Sequence, residues 1–424
     1  MDTTQWIALG VFVATYALII SERLHRLTAA LAGLSGVLLL QLVEQSKAFS
    51  FIDFNTIGLL LGMMILVGVV KKTGLIELAA IRTIRMSGGK PWRLLVLLSV
   101  LTALISALLD NVTTILLIGP VALAVCESLD LDPIPFCISL TFASNLGGTA
   151  TLIGDPPNIL IGSAAGLSFN AFLLNLGPAV LLALGVTFGL LYLFYRKDLE
   201  PDESTAAALQ RFRDSRQRVD PVLTPRVLAI LGLVLGAFLL HRVLHLEAAT
   251  IALAGATLAL VLCPVNVEEM VAEVDWVTLL FFSALFMLVG TLEHLGLIEA
   301  AATLMVHQVG DSPKLLALLL VWGSGILSAV VDNVPYTAAV IPLVRDVAHL
   351  SGMDPTPLWW SLALGACFGG NGTLVGASAN LVMAGLAEKG GISLRFGYFL
   401  KVGIPVTAAT LLVSTVYVYL RYLI

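Results

Sequence analysis

Charged residues are scarce in this sequence of 424 residues, and that scarcity sets the class of protein. Only 12% of the residues are Asp, Glu, Lys or Arg, whereas 58% are hydrophobic and the mean hydropathy is +0.98. A soluble domain has about a quarter charged residues. We therefore predict an all-α polytopic protein of the plasma (inner) membrane, with the lipid bilayer as its first partner.

Other absences exclude whole classes of function. The four cysteines lie in or beside apolar runs without a paired spacing, which argues against disulfides and a zinc site. No basic tract is interleaved with aromatic residues, so a nucleic-acid partner is not expected. No Ser/His/Asp set or metal-ligand set is placed for chemistry, so an enzyme, a cofactor and a resident metal are not expected either. The first segment lacks a charged leader and a cleavage site, which favours a retained helix.

Long apolar runs fill most of the chain. Read as spans of about 20 residues, they predict about ten transmembrane helices. The runs 93–126 and 315–347 are each broken by an Asp-Asn pair, and the runs 135–165 and 358–386 by glycine-rich segments. We expect two re-entrant hairpins at the first pair and two unwound helices at the second, because non-helical backbone at membrane depth must be covered by protein or line a cavity. Two full spans in place of each hairpin satisfy the charge distribution equally well.

The Asp-Asn pairs belong to an internal repeat. Ser106-Ala-Leu-Leu-Asp-Asn-Val112 recurs as Ser328-Ala-Val-Val-Asp-Asn-Val334, although a carboxylate in hydrocarbon costs roughly 3 kcal/mol even on lenient scales. The residues that recur 222 positions later include Asp53 with Asp275, Gly68 with Gly290, Asp110 with Asp332, Pro120 with Pro342 and Asn158 with Asn380. Chance matching of apolar sequence does not place Asp, Pro and Asn in register. Two equivalent halves, 1–195 and 227–424, are predicted, joined by a cytoplasmic linker over 196–226.

Positive charge predicts the orientation. Most of the 23 Lys and Arg lie in 23–26, 71–93, 196–226 and 389–401, and the positive-inside rule places these segments in the cytoplasm. Both termini then lie outside, and the second half is inverted relative to the first. Inverted repeats with interrupted helices are typical of secondary transporters, which hold the substrate near the midplane at the breaks.

The four breaks supply the candidate substrate-binding residues. Paired glycines let the backbone approach a ligand, and half-helix N-termini present free N–H groups to anions and oxygen-rich solutes. Tight helix packing is the alternative reason for the glycines. The candidates are Asn111, Thr113, Thr114, Asn145, Gly147, Gly148, Thr149, Asn158, Asn333, Tyr336, Thr337, Gly370, Asn371, Thr373 and Asn380.

Three intramembrane acids, Asp110, Asp155 and Asp332, are the candidate sites of proton or ion coupling. The alternative is that each acid caps a half-helix, and for the symmetric pair Asp110 and Asp332 this alternative is serious. Asp155 has Ala377 as its repeat equivalent. That asymmetry favours a specific coupling role for Asp155.

At these motifs the sequence resembles the ion transporter superfamily, in the branch of the arsenite/antimonite efflux permeases and the melanosomal P proteins. The resemblance covers essentially the whole chain. It implies ten spans with two re-entrant hairpins, a scaffold-and-transport arrangement, secondary transport and frequent homodimers. Some relatives associate with a cytoplasmic ATPase subunit. The phrases that carry it are Ser106-Ala-Leu-Leu-Asp-Asn-Val-Thr-Thr114, Asn145–Asn158, Gly166-Leu-Ser-Phe169, Asp332-Asn-Val-Pro335 and Gly369-Gly-Asn-Gly-Thr373.

The resemblance leaves several substrates open, among them sodium, silicic acid, anions and dicarboxylates. Asp-Asn stands where the dicarboxylate branch has a Ser-Asn-Thr signature, so charge repulsion disfavours a di-anion. We expect efflux of trivalent arsenic and antimony in exchange for protons, with alternating access, because As(OH)3 suits Asn, Thr and backbone donors. Cys367, the equivalent of Asn145, would suit a soft metalloid, although a lone buried cysteine more often serves packing. A sodium/proton antiporter suits the same oxygens nearly as well, and a channel or receptor is the alternative outside transport.

Overall fold

The computed structural model describes residues 2–21, 23–88, 90–197, 199, 220–309 and 312–424. The described chain is helical and contains no strand. The predicted cytoplasmic linker falls mostly on 200–219, which lie outside the described residues.

Ten helices form the first half of the described chain. They are α1 (Thr3–Ser21), α2 (Arg26–Leu39), α3 (Gln45–Ser50), α4 (Phe54–Lys71), α5 (Leu75–Ser87), α6 (Pro91–Ser106), α7 (Asn111–Ser128), α8 (Pro133–Thr149), α9 (Pro156–Ala165) and α10 (Phe169–Tyr195).

Ten more form the second half, and α12 to α19 repeat α2 to α9. Each begins 222 residues after its counterpart, except α18, which begins one residue later. The helices are α11 (Leu223–Leu244), α12 (Ala248–Leu262), α13 (Val267–Ala272), α14 (Trp276–His294), α15 (Leu297–Val309), α16 (Pro313–Ser328), α17 (Asn333–Ser351), α18 (Thr356–Gly369), α19 (Ser378–Lys389) and α20 (Phe396–Tyr422).

Seven helices of the described chain are long and apolar enough to cross a membrane. This is fewer than the ten that the apolar runs predict, because several helices are shorter than the runs that contain them. Helices α2, α12 and α6 have 14, 15 and 16 residues, and at 1.5 Å per residue none reaches the roughly 30 Å of a hydrocarbon core. The predicted polytopic helical fold is confirmed. The helices break at both Asp-Asn pairs and at both glycine-rich segments, and we call the turns at Asp110-Asn111 and Asp332-Asn333 the hairpin turns.

The helix starts follow from local sequence. Asp53 caps α4 and accepts a hydrogen bond from Thr56 Oγ1 at 2.6 Å, and Asp275 caps α14 and accepts one from Thr278 Oγ1 at the same distance. Pro156 opens α9, where its missing N–H costs no hydrogen bond. The Asp caps occur at equivalent positions in both halves, so the helices that they begin also start at equivalent positions.

The two halves pack crosswise. Helix α4 lies against α12, and its repeat equivalent α14 lies against α2. The same exchange joins α7 to α19 and α17 to α9. A Cβ atom on Gly62 would overlap the backbone of Ala252, so the α4–α12 crossing requires glycine there. Each half therefore completes the other.

Candidate functional site

The two unwound segments are held by the same hydrogen bonds in both halves. Thr151 Oγ1 donates to the carbonyl of Ala107 at 2.5 Å, and Thr373 Oγ1 donates to the carbonyl of Ala329 at 2.5 Å. These contacts fasten each unwound segment to the hairpin turn beside it. They fix the backbone that non-helical structure leaves without helical partners.

Two asparagines also hold the unwound segments, because their side-chain amides donate to backbone carbonyls there. Asn158 Nδ2 donates to the carbonyls of Thr149 and Thr151 at 3.0 and 2.8 Å. Asn380, its repeat equivalent, donates to the carbonyls of Gly370 and Thr373 at 2.7 Å each. The amide nitrogens of both asparagines are therefore occupied by the fold.

Asp155 lies between the two hairpin turns. Its side chain is fully buried. Asn111 Nδ2 and Asn333 Nδ2, one from each turn, donate to its carboxylate at 3.3 Å. The Cys367 thiol donates to Asn158 Oδ1 at 3.7 Å. Asp155 precedes α9 but makes no capping bond to that helix. Among the described residues no cation pairs with it, so this buried carboxyl is met only by neutral groups.

Asn145 connects this acid to the second half. Its Oδ1 accepts from Asn111 Nδ2 at 3.3 Å, and its Nδ2 donates to Oδ1 of Asn371 and of Asn380 at 2.9 Å each. The Nδ2 of Asn371 is buried and has no partner within the described chain. A continuous line of buried amides thus runs from Asp155 across the repeat boundary.

Asp110 and Asp332 are helix caps. Asp110 Oδ1 accepts from the Thr113 backbone N–H at 2.8 Å, and Oδ2 accepts from Thr113 Oγ1 at 2.5 Å. Asp332 Oδ1 accepts from the Val334 backbone N–H at 3.0 Å. The capping alternative is thus realised at both residues, and capping leaves a coupling role open.

A cavity of about 180 Å³ opens beside Asp155. Both hairpin turns, α4, α9 and α14 line it. Its polar lining consists of Arg26, Lys71, Asp110, Asn111, Thr113, Asp155, Glu273, Asp275, Thr278, Asn333 and Ser378. Lys71, which lines the cavity, pairs with Glu273 at 3.2 Å, and the adjacent Lys72 pairs with Glu269; the hydrogen bond that Lys72 donates to Glu269 raises the pKa of Lys72.

A second cavity, of about 380 Å³, lies at the opposite end of α9. Asn55, Ser163, His241, His245 and Glu247 are among its lining residues. Ile159 lines both cavities. Helix α9 therefore separates two polar cavities, and the aliphatic side chain of Ile159 is part of the barrier between them.

Comparison with known proteins assigns this architecture. A family model described as a citrate transporter matches residues 16–365. The chain belongs to the CitMHS family. An uncharacterized transporter of Mycobacterium tuberculosis is 40% identical over 99% of both chains, and the 46 kDa membrane protein of Mycobacterium leprae is 41% identical over the same share. This CitMHS protein is thus a membrane transporter, as expected, and not an enzyme.

Two further comparisons bear on branch and fold. The human P protein is 33% identical to the chain, across 100% of this chain and 61% of its own length. The predicted relationship to the ion transporter superfamily and its P-protein branch is confirmed. The crystal structure of the Alcanivorax borkumensis YdaH transporter shares the fold, with a TM-score of 0.58 over 99% of this chain and 98% of that chain at 17% identity.

The structure divides the predicted site residues into three sets. Those that line the cavity are Asp110, Asn111, Thr113, Asp155 and Asn333. Those in the hydrogen-bond network behind it are Asn145, Asn158, Gly370, Asn371, Thr373 and Asn380, whereas Asp332 bonds Ser378 in the cavity lining. Those whose hydroxyls bond their own helix or a neighbour are Thr114, Thr149, Tyr336 and Thr337.

Gly147 and Gly148 serve close packing in this CitMHS chain. A Cβ on Gly147 would overlap the backbone of Ala103 in α6, and one on Gly369 would overlap Gly325 in α16. A Cβ on Gly148 would meet the carbonyl of Gly154. The packing alternative for these glycines is therefore realised in both halves.

Sequence reasoning missed the charged wall of the cavity. The distribution of positive charge assigns Arg26 and Lys71 to loops, and the repeat marks Asp275 only as a recurring position, yet all three line the cavity with Glu273 and Thr278. The signal available was their position at helix ends, where a residue can face either solvent or a cavity.

Proposed function

We propose that this CitMHS protein exports trivalent arsenic and antimony, as neutral hydroxylated species, in exchange for protons by alternating access. The observation that carries the proposal is Asp155, a fully buried carboxyl held between the two hairpin turns by Asn111 and Asn333. An unpaired charge at such a site is costly. Binding a proton relieves that cost, and the asparagine network offers donors and acceptors to hydroxyl groups.

The charge of the cavity argues against a polyanion such as citrate. Lys71 is paired with Glu273 at 3.2 Å, and Arg26 lies 3.9 Å from Asp332. Asp110 and Asp155 have no cationic partner among the described residues. A tricarboxylate would meet carboxylates whose repulsion is strong in a low dielectric, so a neutral or cationic solute fits this lining better.

Sodium/proton antiport is the second candidate, and the oxygen donors favour it. Carboxylate oxygens of Asp110 and Asp155 and the amide oxygen of Asn111 surround the cavity, and hard cations prefer such ligands. Cys367, whose buried thiol donates to Asn158 Oδ1 at 3.7 Å, favours the metalloid instead, because a thiol is a soft ligand.

The cellular setting is part of the proposal. We place the protein in the plasma membrane with both termini outside, on the distribution of Lys and Arg. The family resemblance supports a homodimer and admits a cytoplasmic ATPase subunit. Cross-linking in native membranes followed by mass analysis tests both partners.

Complementation separates the two substrates. The chain is expressed in a host that is sensitive to both arsenite and sodium, beside Asp155→Asn and, as matched control, Asp354→Asn, whose exposed carboxylate only bonds Thr356. We expect growth on arsenite and antimonite with the wild type and the control but not with Asp155→Asn. If the wild type restores growth on sodium but not on arsenite, or if it takes up citrate only, the proposal of arsenic and antimony export is wrong.

Everted vesicles with a pH-sensitive dye test the coupling. Addition of arsenite should release protons from the vesicle lumen when the wild type is present and not with Asp155→Asn. Arsenite flux that is indifferent to an imposed proton gradient contradicts the exchange.

A further inference from the structure

Arg26 extends from the first turn of α2 into the cavity. Its side chain is about one-third exposed. Nη1 donates to Ser378 Oγ at 2.6 Å, and Nη2 donates to Thr278 Oγ1 at 3.2 Å. The guanidinium also lies over the ring of Phe281, 5.5 Å from its centroid, an arrangement that favours the cation.

These contacts place Arg26 between two carboxylates. Ser378 Oγ donates to Asp332 Oδ2 at 2.8 Å, and Arg26 Nη1 itself lies 3.9 Å from that oxygen. On the other side Thr278 Oγ1 donates to Asp275 Oδ2 at 2.6 Å. One cation thus joins the cap of the second hairpin to the cap of α14, through a hydroxyl on each side.

The first hairpin has no equivalent bridge among the described residues. The positions equivalent to Arg26 and Ser378 are Ala248 and Pro156, which have no side-chain donor. The cap of α4 is retained, since Thr56 Oγ1 donates to Asp53 at 2.6 Å. The Asp caps are therefore present in both halves, whereas the bridging cation is present at the second hairpin and not at the first.

The bridge also joins helices that pack in two different groups. Arg26 and Thr278 belong to α2 and α14, which pack on each other, whereas Ser378 begins α19, which packs on the first hairpin. A guanidinium with a planar fork of donors is suited to such a junction.

We propose that Arg26 is the fixed counter-ion of Asp332 and the residue that positions the second hairpin against α2 and α14. Of the three intramembrane acids, Asp332 is then permanently neutralised, and Asp110 and Asp155 alone remain for coupling. The assignment of coupling acids rests on the proposed function, whereas the ion pair itself does not.

A thermal double-mutant cycle tests the ion pair without any substrate. Arg26→Ala, Asp332→Asn and the double variant are purified in detergent, and their unfolding temperatures are measured. Asn at position 332 keeps an oxygen that can cap α17. We expect Arg26→Ala to lose several degrees, because the mostly buried Asp332 carboxylate is left without its counter-ion. Asp332→Asn should lose less, because the Arg26 side chain is about one-third exposed, and the double variant should recover most of the larger loss.

The exposed pair Arg345–Glu293, at 3.4 Å, provides the matched control. Arg345→Ala with Glu293→Gln should show no coupling, since exposed ion pairs contribute little. Additive losses at Arg26 and Asp332, or no loss in Arg26→Ala, overturn the ion pair.

Transport measured on the same variants, at a temperature below the unfolding of all of them, tests the functional role. Arg26→Ala should lose transport although it is folded, whereas Arg26→Lys and the double variant Arg26→Ala/Asp332→Asn should retain it. A role in stability alone would leave the transport of folded Arg26→Ala unchanged, and that result contradicts the proposal. A stably folded double variant without transport would mean that Arg26 contacts the substrate, which contradicts the proposal. Failure of the proposed substrate is visible in the wild type and leaves the thermal cycle intact.

Discussion

Asp155 combines full burial with two asparagine donors and no ion-pair partner among the described residues. Burying a lone carboxylate opposes folding by several kcal/mol, and an isosteric neutral residue removes that cost. Such a residue persists in a fold when the function needs it.

Asp155→Asn should therefore separate function from stability. The variant should unfold at the same temperature as the wild type or a higher one, while transport falls by about tenfold or more, roughly 1.4 kcal/mol in barrier. Thermal unfolding in detergent and initial rates in vesicles measure the two effects. Normal transport in a stable variant would show that the carboxylate charge is dispensable.

Asp110 poses a different question, because it caps α7 through Thr113. Asp110→Ala should lose both transport and about 1 kcal/mol of stability, whereas Asp110→Asn should keep the cap. If Asp110 couples protons, Asp110→Asn is stable and inactive. If it only caps, Asp110→Asn is stable and active, and the same pair of substitutions can be made at Asp332.

At the scale of elements, the crossing of α8 over α6 depends on Gly147. Gly147→Val should abolish the folded protein, because its side chain would overlap the backbone of Ala103, which cannot move aside cheaply. Gly185→Ala in α10 is the control, since a Cβ there meets no atom within 4 Å. The yield of monodisperse protein after size exclusion measures both. A well-folded Gly147→Val protein would contradict the crossing.

The helix breaks at the Asp-Asn pairs and in the glycine-rich segments could be predicted from sequence because their causes are local. Asp caps, Pro156 at a helix start and paired glycines each act within one turn, and the repeat doubled every signal. The cavity wall could not be predicted, because Arg26 at a helix start reads equally well as a loop charge. The partners of Asp155 lie 44 and 178 residues away, and only the crosswise packing brings them together. Local sequence also could not decide between capping and coupling at Asp110, since one carboxyl can do both.

At the scale of the whole molecule, two cavities on opposite ends of α9 predict opposite accessibility. The four native cysteines are buried, so a single introduced cysteine is the main target of a membrane-impermeant thiol reagent. Met64→Cys and Ser163→Cys, which line the first and second cavity, should react from opposite faces in right-side-out and everted vesicles. Substrate should change the two rates in opposite directions under alternating access. Labelling of both positions from one face would contradict a barrier at Ile159.

The crosswise packing of the halves also bears on how the chain is made. Helix α4 packs on α12, and Asp155 receives a hydrogen bond from Asn333, 178 residues further along. At ribosomal speeds of about 5–20 residues per second, that interval takes on the order of ten to forty seconds. During this time the first half lies in or beside the insertion machinery with a polar hairpin and an acid that lack their partners. Biogenesis of this transporter is therefore expected to depend on a membrane chaperone that shelters the first half until the second is synthesised.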